Sequence, residues 1–212
     1  MRKKLLALNT SLQEGFSVKM VSHFRALWQE QGGEIIERDL AKETVPHLDF
    51  SVIKAIKQAQ CEDEIQEKAL ALSERLITEI REVDAIVIGM PLYNLAAPSV
   101  FQSYLDYVVR AGVTFQYTKQ GPVGLLDNKP VYILCSRGGV FSGDNAHMDT
   151  QTLWLKNILG FIGLSSLQFI YAEGLGLSEG VAIESLKNAK QQITNLFENT
   201  IAQGRCSLLP TG

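Results

Sequence analysis

The amino-acid sequence predicts an α/β fold built on a parallel sheet of five strands, with helices on both faces. Five short apolar runs alternate with segments in which apolar residues recur at helical spacing. Two of the runs, 84–89 and 130–136, are apolar without alternation, as expected for strands that are covered on both faces. Such alternation of strands and helices is typical of a doubly wound, three-layer sandwich with right-handed crossovers.

The elements can be assigned in chain order. The predicted strands are residues 4–9, 33–40, 84–89, 130–136 and 167–174. The predicted helices carry apolar residues at spacings of three and four and occupy residues 62–82, 98–110 and 180–203. A weaker helix is expected near 51–59, and a short hairpin around VTFQYT within the polar, Gly-rich segment 111–128.

The chain is expected to form one domain. At 212 residues it is long enough for a single α/β domain with a sizeable core. We assign this domain to residues 1–203 and a flexible C-terminal tail to residues 204–212.

Composition and charge argue against several classes of function. The net charge is −3, and no basic cluster suggests binding to nucleic acid. No apolar run approaches the roughly 20 residues of a membrane-spanning helix. Cys61, Cys135 and Cys206 form no CxxC pair, and the three histidines lack ligand spacing. We therefore expect a cytoplasmic protein without disulfides and without a metal site.

Three loops should carry the chemistry, because ligands of open parallel sheets bind at the carboxyl ends of the strands. These loops are residues 9–19, 90–97 and 137–147. In the first, Ser11, Gly15 and Ser17 precede a helix whose free amides can receive an anion. Hydroxyls and amides together predict a phosphate site without a fixed positive charge. The alternative is that Ser17 serves only as an N-cap.

The other two loops offer an apolar surface and a glycine surface. GMPLYNLAAPS, residues 89–99, has apolar side chains where loops are usually polar, which suits a planar ring system; an inward-folded loop or a dimer contact is the alternative. The two glycines of SRGG, residues 136–139, would let a flat ligand approach the backbone closely; the alternative is that the segment is a plain turn. Arg137 within it either pairs with an anion or lies at the surface. Together, the three loops fit a flat ligand that carries a phosphate, such as FMN in the crevice of flavodoxin-like proteins.

A long string strengthens this interpretation. MPLYNLAAPSVFQSYLDYVVRAGVTFQYTKQGPVGLL (90–126), followed by SRGG (136–139) and LGFIG (159–163), resembles the FMN-dependent NADH azoreductases, which are also described as NADH:quinone oxidoreductases. The likeness spans the chain from about Leu5 to Ile201. It implies a flavodoxin-like fold with strand order 2-1-3-4-5 and a homodimer. It also implies bound FMN, NADH as electron donor, and two-electron reduction of quinones and azo compounds by a ping-pong mechanism.

The resemblance also implies which residues contact FMN. The matching positions are Ser11, Ser17, Val18, Lys19, Leu92, Tyr93, Asn94, Leu95, Ser136, Arg137, Gly138 and Gly139. Two of them depart from the family pattern, because Lys19 replaces a Ser and Leu95 replaces a Phe. We expect Lys19 to pair with the phosphate, the alternative being that it points to water. Leu95 offers apolar area without ring stacking, which leaves the substrate range open.

Three further residues are candidates for the substrate pocket. By the resemblance, Phe161 is a ring contributed by the partner chain, or else a core residue, and Tyr117 is a lid over the substrate. His147 lies beyond the fourth strand and is either a proton donor or an exposed loop residue. The scheme requires no side-chain acid, base or nucleophile, and Cys135 is expected to be a small core residue.

Two alternative functions stay open. One is a flavin electron carrier, although a net charge of −3 is mild for such a protein. The other is an ancillary flavoprotein without turnover. The physiological acceptor and the choice between NADH and NADPH are not specified by the sequence.

Overall fold

A parallel sheet forms the centre of the molecule. The computed structural model describes residues 2–202, so the predicted tail, 204–212, lies outside the described residues. The strands are β1 (Lys4–Asn9), β2 (Glu34–Asp39), β3 (Ala85–Pro91), β4 (Phe115–Thr118), β5 (Gly121–Gly124), β6 (Val131–Ser136) and β7 (Leu167–Ala172). Five of them form a sheet of order β2-β1-β3-β6-β7, while β4 and β5 form a separate antiparallel hairpin. This confirms the predicted order 2-1-3-4-5 and the short hairpin between the third and fourth sheet strands.

Helices cover both faces of this sheet. They are α1 (Phe16–Glu30), α2 (Phe50–Gln58), α3 (Glu64–Arg81), α4 (Ser99–Val108), α5 (Thr150–Phe161) and α6 (Glu179–Ala202), with a 3₁₀ turn at Gly143–Met148. Side chains alternate along each strand, so Leu6 and Leu8 pack against one helical layer while Leu5 and Ala7 pack against the other. The first layer is formed by α2, α3, α4 and α5, and the second by α1 and α6.

The parallel strands give the sheet two chemically distinct edges. The loops after β1, β3 and β6 lie together at the carboxyl edge, as predicted. Helix α4 runs back to the amino edge, so the hairpin β4–β5 lies there, next to the end of α5. The amide of Leu126, just after the hairpin, donates to the carbonyl of Ile162 at 3.1 Å. The hairpin is therefore at the opposite edge of the same chain from the three predicted loops.

Two features are absent from residues 2–202. No helix there has both the length and the apolar character needed to cross a bilayer. In the same part of the chain, no group of three or more His, Cys, Asp or Glu residues is arranged around a possible metal position.

Candidate functional site

Helix α1 begins at the carboxyl edge without a side-chain cap. Its N-cap residue is Gly15, which has extended backbone and no side chain to accept a hydrogen bond from the first-turn amides. The first turn contains no acidic residue that would neutralise the positive end of the helix dipole. The amides of Phe16, Ser17 and Val18 have no partner within the helix, as in the first turn of any α-helix. This end of α1 is therefore suited to an anion.

The Ser17 side chain reinforces this suitability. The residue is only 1% exposed, and its hydroxyl has no hydrogen-bond partner among the described residues. Ser17 is the second residue of α1, so the alternative that it is merely the N-cap is wrong. A buried hydroxyl without a partner costs about 1–3 kcal/mol. An oxygen of a phosphate group beside the first-turn amides would satisfy it.

Val18 and Lys19 complete the first turn. Val18 is half-buried and Lys19 is exposed. The Lys19 ammonium lies 5.3 Å from the centroid of the Phe16 ring. The charge thus lies beside the first residue of the helix.

Ser11 links this loop to the loop after β3. It is 3% exposed, and its hydroxyl donates to the carbonyl of Gln13 at 2.7 Å. The same Oγ lies 3.3 Å from the phenolic oxygen of Tyr93. The phosphate loop and the apolar loop are therefore in direct contact.

The apolar loop is a tight turn with left-handed backbone. Tyr93 and Ala96 exchange both backbone hydrogen bonds, at 3.1 and 2.9 Å, around Asn94 (φ 51°) and Leu95 (φ 61°). Positive φ at both central residues is the signature of a type I′ turn, which favours Asn and Gly. For Leu, the left-handed conformation costs roughly 1–2 kcal/mol. Leu92 and Tyr93 are half-buried while Asn94 and Leu95 are exposed, so the tip of the loop is not folded inward.

Two residues at the start of α5 hold this turn. The Thr150 hydroxyl donates to the carbonyl of Leu95 at 2.6 Å. Gln151, which is 1% exposed, donates from Nε2 to the carbonyls of Pro91 (3.0 Å) and Ala96 (3.2 Å). Neither was predicted from the sequence, because both lie more than fifty residues from their partners.

The loop after β6 places two glycines beside the turn. The carbonyl of Ser136 accepts a hydrogen bond from the amide of Leu92 at 2.9 Å. The carbonyls of Gly138 and Gly139 accept from the amides of Gly176 and Gly174, both at 2.9 Å. A Cβ added at Gly138 would meet nothing within 4 Å, so its backbone borders open space. Both glycines are therefore held by hydrogen bonds to residues 174–176, and the open space beside Gly138 suits contact with a flat ligand.

Of the two alternatives considered for Arg137, the structure agrees with pairing to an anion. Its side chain is 2% exposed, so the surface alternative is wrong. The guanidinium pairs with a carboxylate of the protein itself, donating to the two oxygens of Asp149 at 3.0 and 2.9 Å. Burial alone would raise the pKa of Asp149, but hydrogen bonds from Thr152 and Arg137 bring it below its ordinary value.

His147 is exposed, whereas Cys135 is buried. His147 is exposed on the 3₁₀ turn, with Nδ1 2.9 Å from the carbonyl oxygen of Asp144. Cys135 is fully buried, and burial raises the pKa of its thiol to about 12. It is therefore a core residue, as the sequence predicts, and not a nucleophile.

Tyr117 and Phe161 lie together at the amino edge. The Tyr117 side chain is 74% exposed. Phe161 is half-buried, and its ring centroid is 4.3 Å from that of Phe115, which in turn lies 5.5 Å from that of Tyr117. Within one chain, Tyr117 therefore cannot act as a lid over the carboxyl edge. Both rings can reach such a site only on a second copy of the chain.

Comparison with known proteins agrees with this geometry. A family model described as the flavodoxin-like fold matches residues 3–197. The FMN-dependent NADH:quinone oxidoreductase of Cellvibrio japonicus is 43% identical over 194 residues, covering 89% of this chain and 96% of that protein. The enzyme of the same name from Azotobacter vinelandii is 40% identical over 200 residues, covering 92% and 100%.

A solved structure shows the same likeness. The crystal structure of an azoreductase from Bacillus anthracis str. Sterne has a TM-score of 0.82 at 29% identity and covers 93% of this chain and 99% of that one. The shared fold, the extent of the matches and the identity to full-length relatives lead to one conclusion. The chain belongs to the family of FMN-dependent NADH:quinone oxidoreductases, which have the flavodoxin-like fold.

Proposed function

We propose that this protein is an FMN-dependent oxidoreductase that passes two electrons from NADH to quinones and azo compounds. The observation that carries the proposal is the unpartnered, buried hydroxyl of Ser17 in the uncapped first turn of α1. The apolar turn and the glycine loop lie at the same edge of the sheet. The names of the relatives from Cellvibrio japonicus and Azotobacter vinelandii support the same reaction.

The phosphate of FMN would be held by the first turn of α1. The amides of this turn, including that of Val18, and the Ser17 hydroxyl are the donors. Ser11 borders the same position through its contact with Tyr93. Lys19, whose ammonium stays beside this turn, supplies the balancing positive charge in the proposal.

The flavin ring would lie between two segments of backbone. Residues 92–95 would form one side and residues 136–139 the other. When bound, FMN supplies the two-electron chemistry that amino-acid side chains lack. The amides of Asn94, Gly138 and Gly139 would donate to its polar edge and stabilise negative charge there. The buried Arg137 side chain would not touch it.

The site would discriminate little between acceptors. The tip of the turn is exposed at Asn94 and Leu95, so the crevice is open to flat molecules. Because donor and acceptor would use the same open side in succession, we expect ping-pong kinetics. A cytoplasmic location is part of the proposal, since Cys61 and Cys135 are free thiols, as in a reducing compartment.

The proposal includes a homodimer. Tyr117 and Phe161 lie at the wrong edge to serve their own chain, but in a two-fold dimer they can face the crevice of the partner. Exposed apolar side chains are available for such a contact: Leu153 is 63% exposed and Phe50 is 87% exposed. Sedimentation velocity should give a dimer, and activity per chain should fall when dilution dissociates it. A monomer with full activity per chain would contradict the dimer proposal.

The reaction itself can be tested by visible absorbance. The purified protein should be yellow, should bleach when NADH is added under anaerobic conditions, and should recover its colour with a quinone. A yellow protein that NADH leaves unchanged would favour the electron carrier or the ancillary flavoprotein. A colourless protein that does not bind added FMN would overturn the proposal altogether.

A further inference from the structure

We propose that Arg137 is a positioning residue that fixes both flavin-facing loops from inside the protein. The inference rests on the proposed function of the crevice but concerns a group that does not touch it. Its basis is that one buried guanidinium connects the glycine loop, the following segment and the start of α5.

The backbone of Arg137 anchors the start of the glycine loop. Its amide donates to the carbonyl of Ala172 at 2.8 Å, and its carbonyl accepts from the amide of Leu175 at 3.1 Å. Both bonds attach this residue to the chain that leaves β7. The position at which the two glycines begin is therefore fixed relative to the chain that leaves β7.

The guanidinium binds three side chains on two segments, the start of α5 and the chain that leaves β7. Besides both oxygens of Asp149, it donates to the Thr152 hydroxyl at 2.9 Å and to the Glu173 carboxylate at 3.2 Å. Two rings flank it: its central carbon lies 4.5 Å from the centroid of Tyr171 and 5.6 Å from that of Phe141. Planar forked donation combined with ring stacking is a property of Arg that Lys does not share.

These partners tie together the two ends of segment 141–149. Glu173, at one end, also accepts a hydrogen bond from the amide of Phe141 at 3.2 Å. Asp149, at the other end, caps α5 by accepting from the amide of Thr152 at 3.0 Å. Both ends of the segment are thus held by the Arg137 guanidinium, so the position of the segment depends on that side chain.

The connection extends to the second flavin-facing loop. Helix α5 begins directly after Asp149, and its first two residues hold the turn at 93–96 through Leu95, Pro91 and Ala96. A shift at the Arg137–Asp149 pair would therefore move the helix start and the apolar turn with it. The ion pair therefore acts on both sides of the crevice, in addition to the backbone hydrogen bond between Leu92 and Ser136.

A purely stabilising role would not require this chemistry. Buried ion pairs often contribute no more to stability than well-packed apolar residues of similar volume. The pair instead fixes the relative orientation of the two segments, because forked hydrogen bonds constrain the geometry of the groups that they join. We therefore expect the loss of the fork to affect ligand geometry beyond its effect on unfolding.

The test compares two buried arginines. Arg137→Lys keeps the charge and removes the fork and the stacking. Arg110→Lys is the matched control, because Arg110 is 6% exposed and pairs with Glu74 at 2.5 Å, but lies at the amino edge. We expect Arg137→Lys to weaken FMN binding by about tenfold to a hundredfold and to change the visible circular dichroism of the flavin. Arg110→Lys should lower the melting temperature and leave both flavin readouts unchanged.

Two further measurements keep the inference open to refutation. Asp149→Asn retains a helix-capping side chain but loses the charge, so it should weaken FMN binding in the same direction even if Arg137→Lys does not fold. Hydrogen exchange of the apoprotein should become faster at both 93–96 and 138–141 in Arg137→Lys, and at neither in Arg110→Lys.

The outcomes separate this inference from the proposed function. If the wild-type protein binds FMN and turns over, while Arg137→Lys and Asp149→Asn bind it equally well with unchanged exchange, Arg137 has only a structural role and the inference is overturned. If the wild-type protein does not bind FMN, the proposed function fails, and the inference fails with it.

Discussion

The Ser17→Ala substitution removes a single oxygen atom from the first turn of α1. That hydroxyl is buried, lies in the turn proposed to hold the FMN phosphate, and has no partner among the described residues. Its loss should change the apoprotein and the complex with FMN in opposite directions.

The magnitudes follow from the burial of this group. In the apoprotein, the substitution removes a desolvated polar atom that costs about 1–3 kcal/mol, so stability should rise or stay constant. A gain of about 1 kcal/mol would raise the melting temperature of a chain of this size by roughly 2–4 °C. In the complex, a hydrogen bond to a charged phosphate is worth about 1.5–3 kcal/mol. Its loss would weaken FMN binding by roughly 10- to 150-fold.

Thermal unfolding of the apoprotein and titration of FMN by fluorescence quenching measure the two effects. Ser73→Ala is the matched control, because the Ser73 hydroxyl is equally buried but donates to the carbonyl of Tyr107 at 2.5 Å. That variant should lose about 1–3 kcal/mol of stability and keep its FMN affinity. Should Ser17→Ala instead destabilise the apoprotein and bind FMN as the wild type does, the assignment of the phosphate site is wrong.

Three other substitutions address separate features. Lys19→Ser should weaken FMN binding several-fold at low ionic strength, and the difference should vanish near 1 M salt, where the screening length is about 3 Å. Burial and the nearby charge of Lys190 lower the pKa of His23 in the folded protein. The free energy of unfolding should therefore fall as the pH drops from above about 6.5 through the pKa of the folded state. In thermal unfolding, His23→Gln should flatten this pH dependence. The Lys129 ammonium donates to the carbonyls of Ile80 (2.7 Å) and Val83 (2.6 Å) near the end of α3. Chemical denaturation of Lys129→Met should therefore show a free energy of unfolding lower by about 1–3 kcal/mol, with FMN binding unchanged.

Each of these has a clear contrary result. Equal FMN affinity of Lys19→Ser and wild type at every salt concentration would show that Lys19 does not contact the phosphate. A pH profile of His23→Gln identical to that of the wild type would assign the acid sensitivity to other groups. Unchanged stability of Lys129→Met would mean that water satisfies those carbonyls as well as the ammonium does.

Elements with strong local patterns could be predicted from the sequence. The first strand was predicted at its observed limits, and the helices predicted at 62–82, 98–110 and 180–203 lie within two residues of α3, α4 and α6, because their apolar spacing reports burial directly. The limits of α1 and α5 were not predicted. The fold class and the strand order were confirmed. The carboxyl-edge position of the three loops follows from the parallel arrangement of the strands, so it too was predictable.

Contacts between distant residues could not be predicted in this way. The sequence shows Arg137 beside two glycines, but its partners, Asp149 and Glu173, lie 12 and 36 residues away. The roles of Thr150 and Gln151 depend on how α5 packs against the turn, which no local pattern reports. The unpartnered state of the Ser17 hydroxyl likewise emerges only from the packed environment around it.

The left-handed turn at Asn94–Leu95 has a consequence for directed evolution. A library at position 95 that is screened for resistance to heat should accumulate Asn and Gly, which adopt this backbone readily. If this turn borders the flavin as proposed, the same library screened for turnover should instead keep bulky apolar residues at position 95. The two selections would then favour different residues at position 95. The difference in stability between the selected variants would measure how much backbone strain this enzyme retains for turnover.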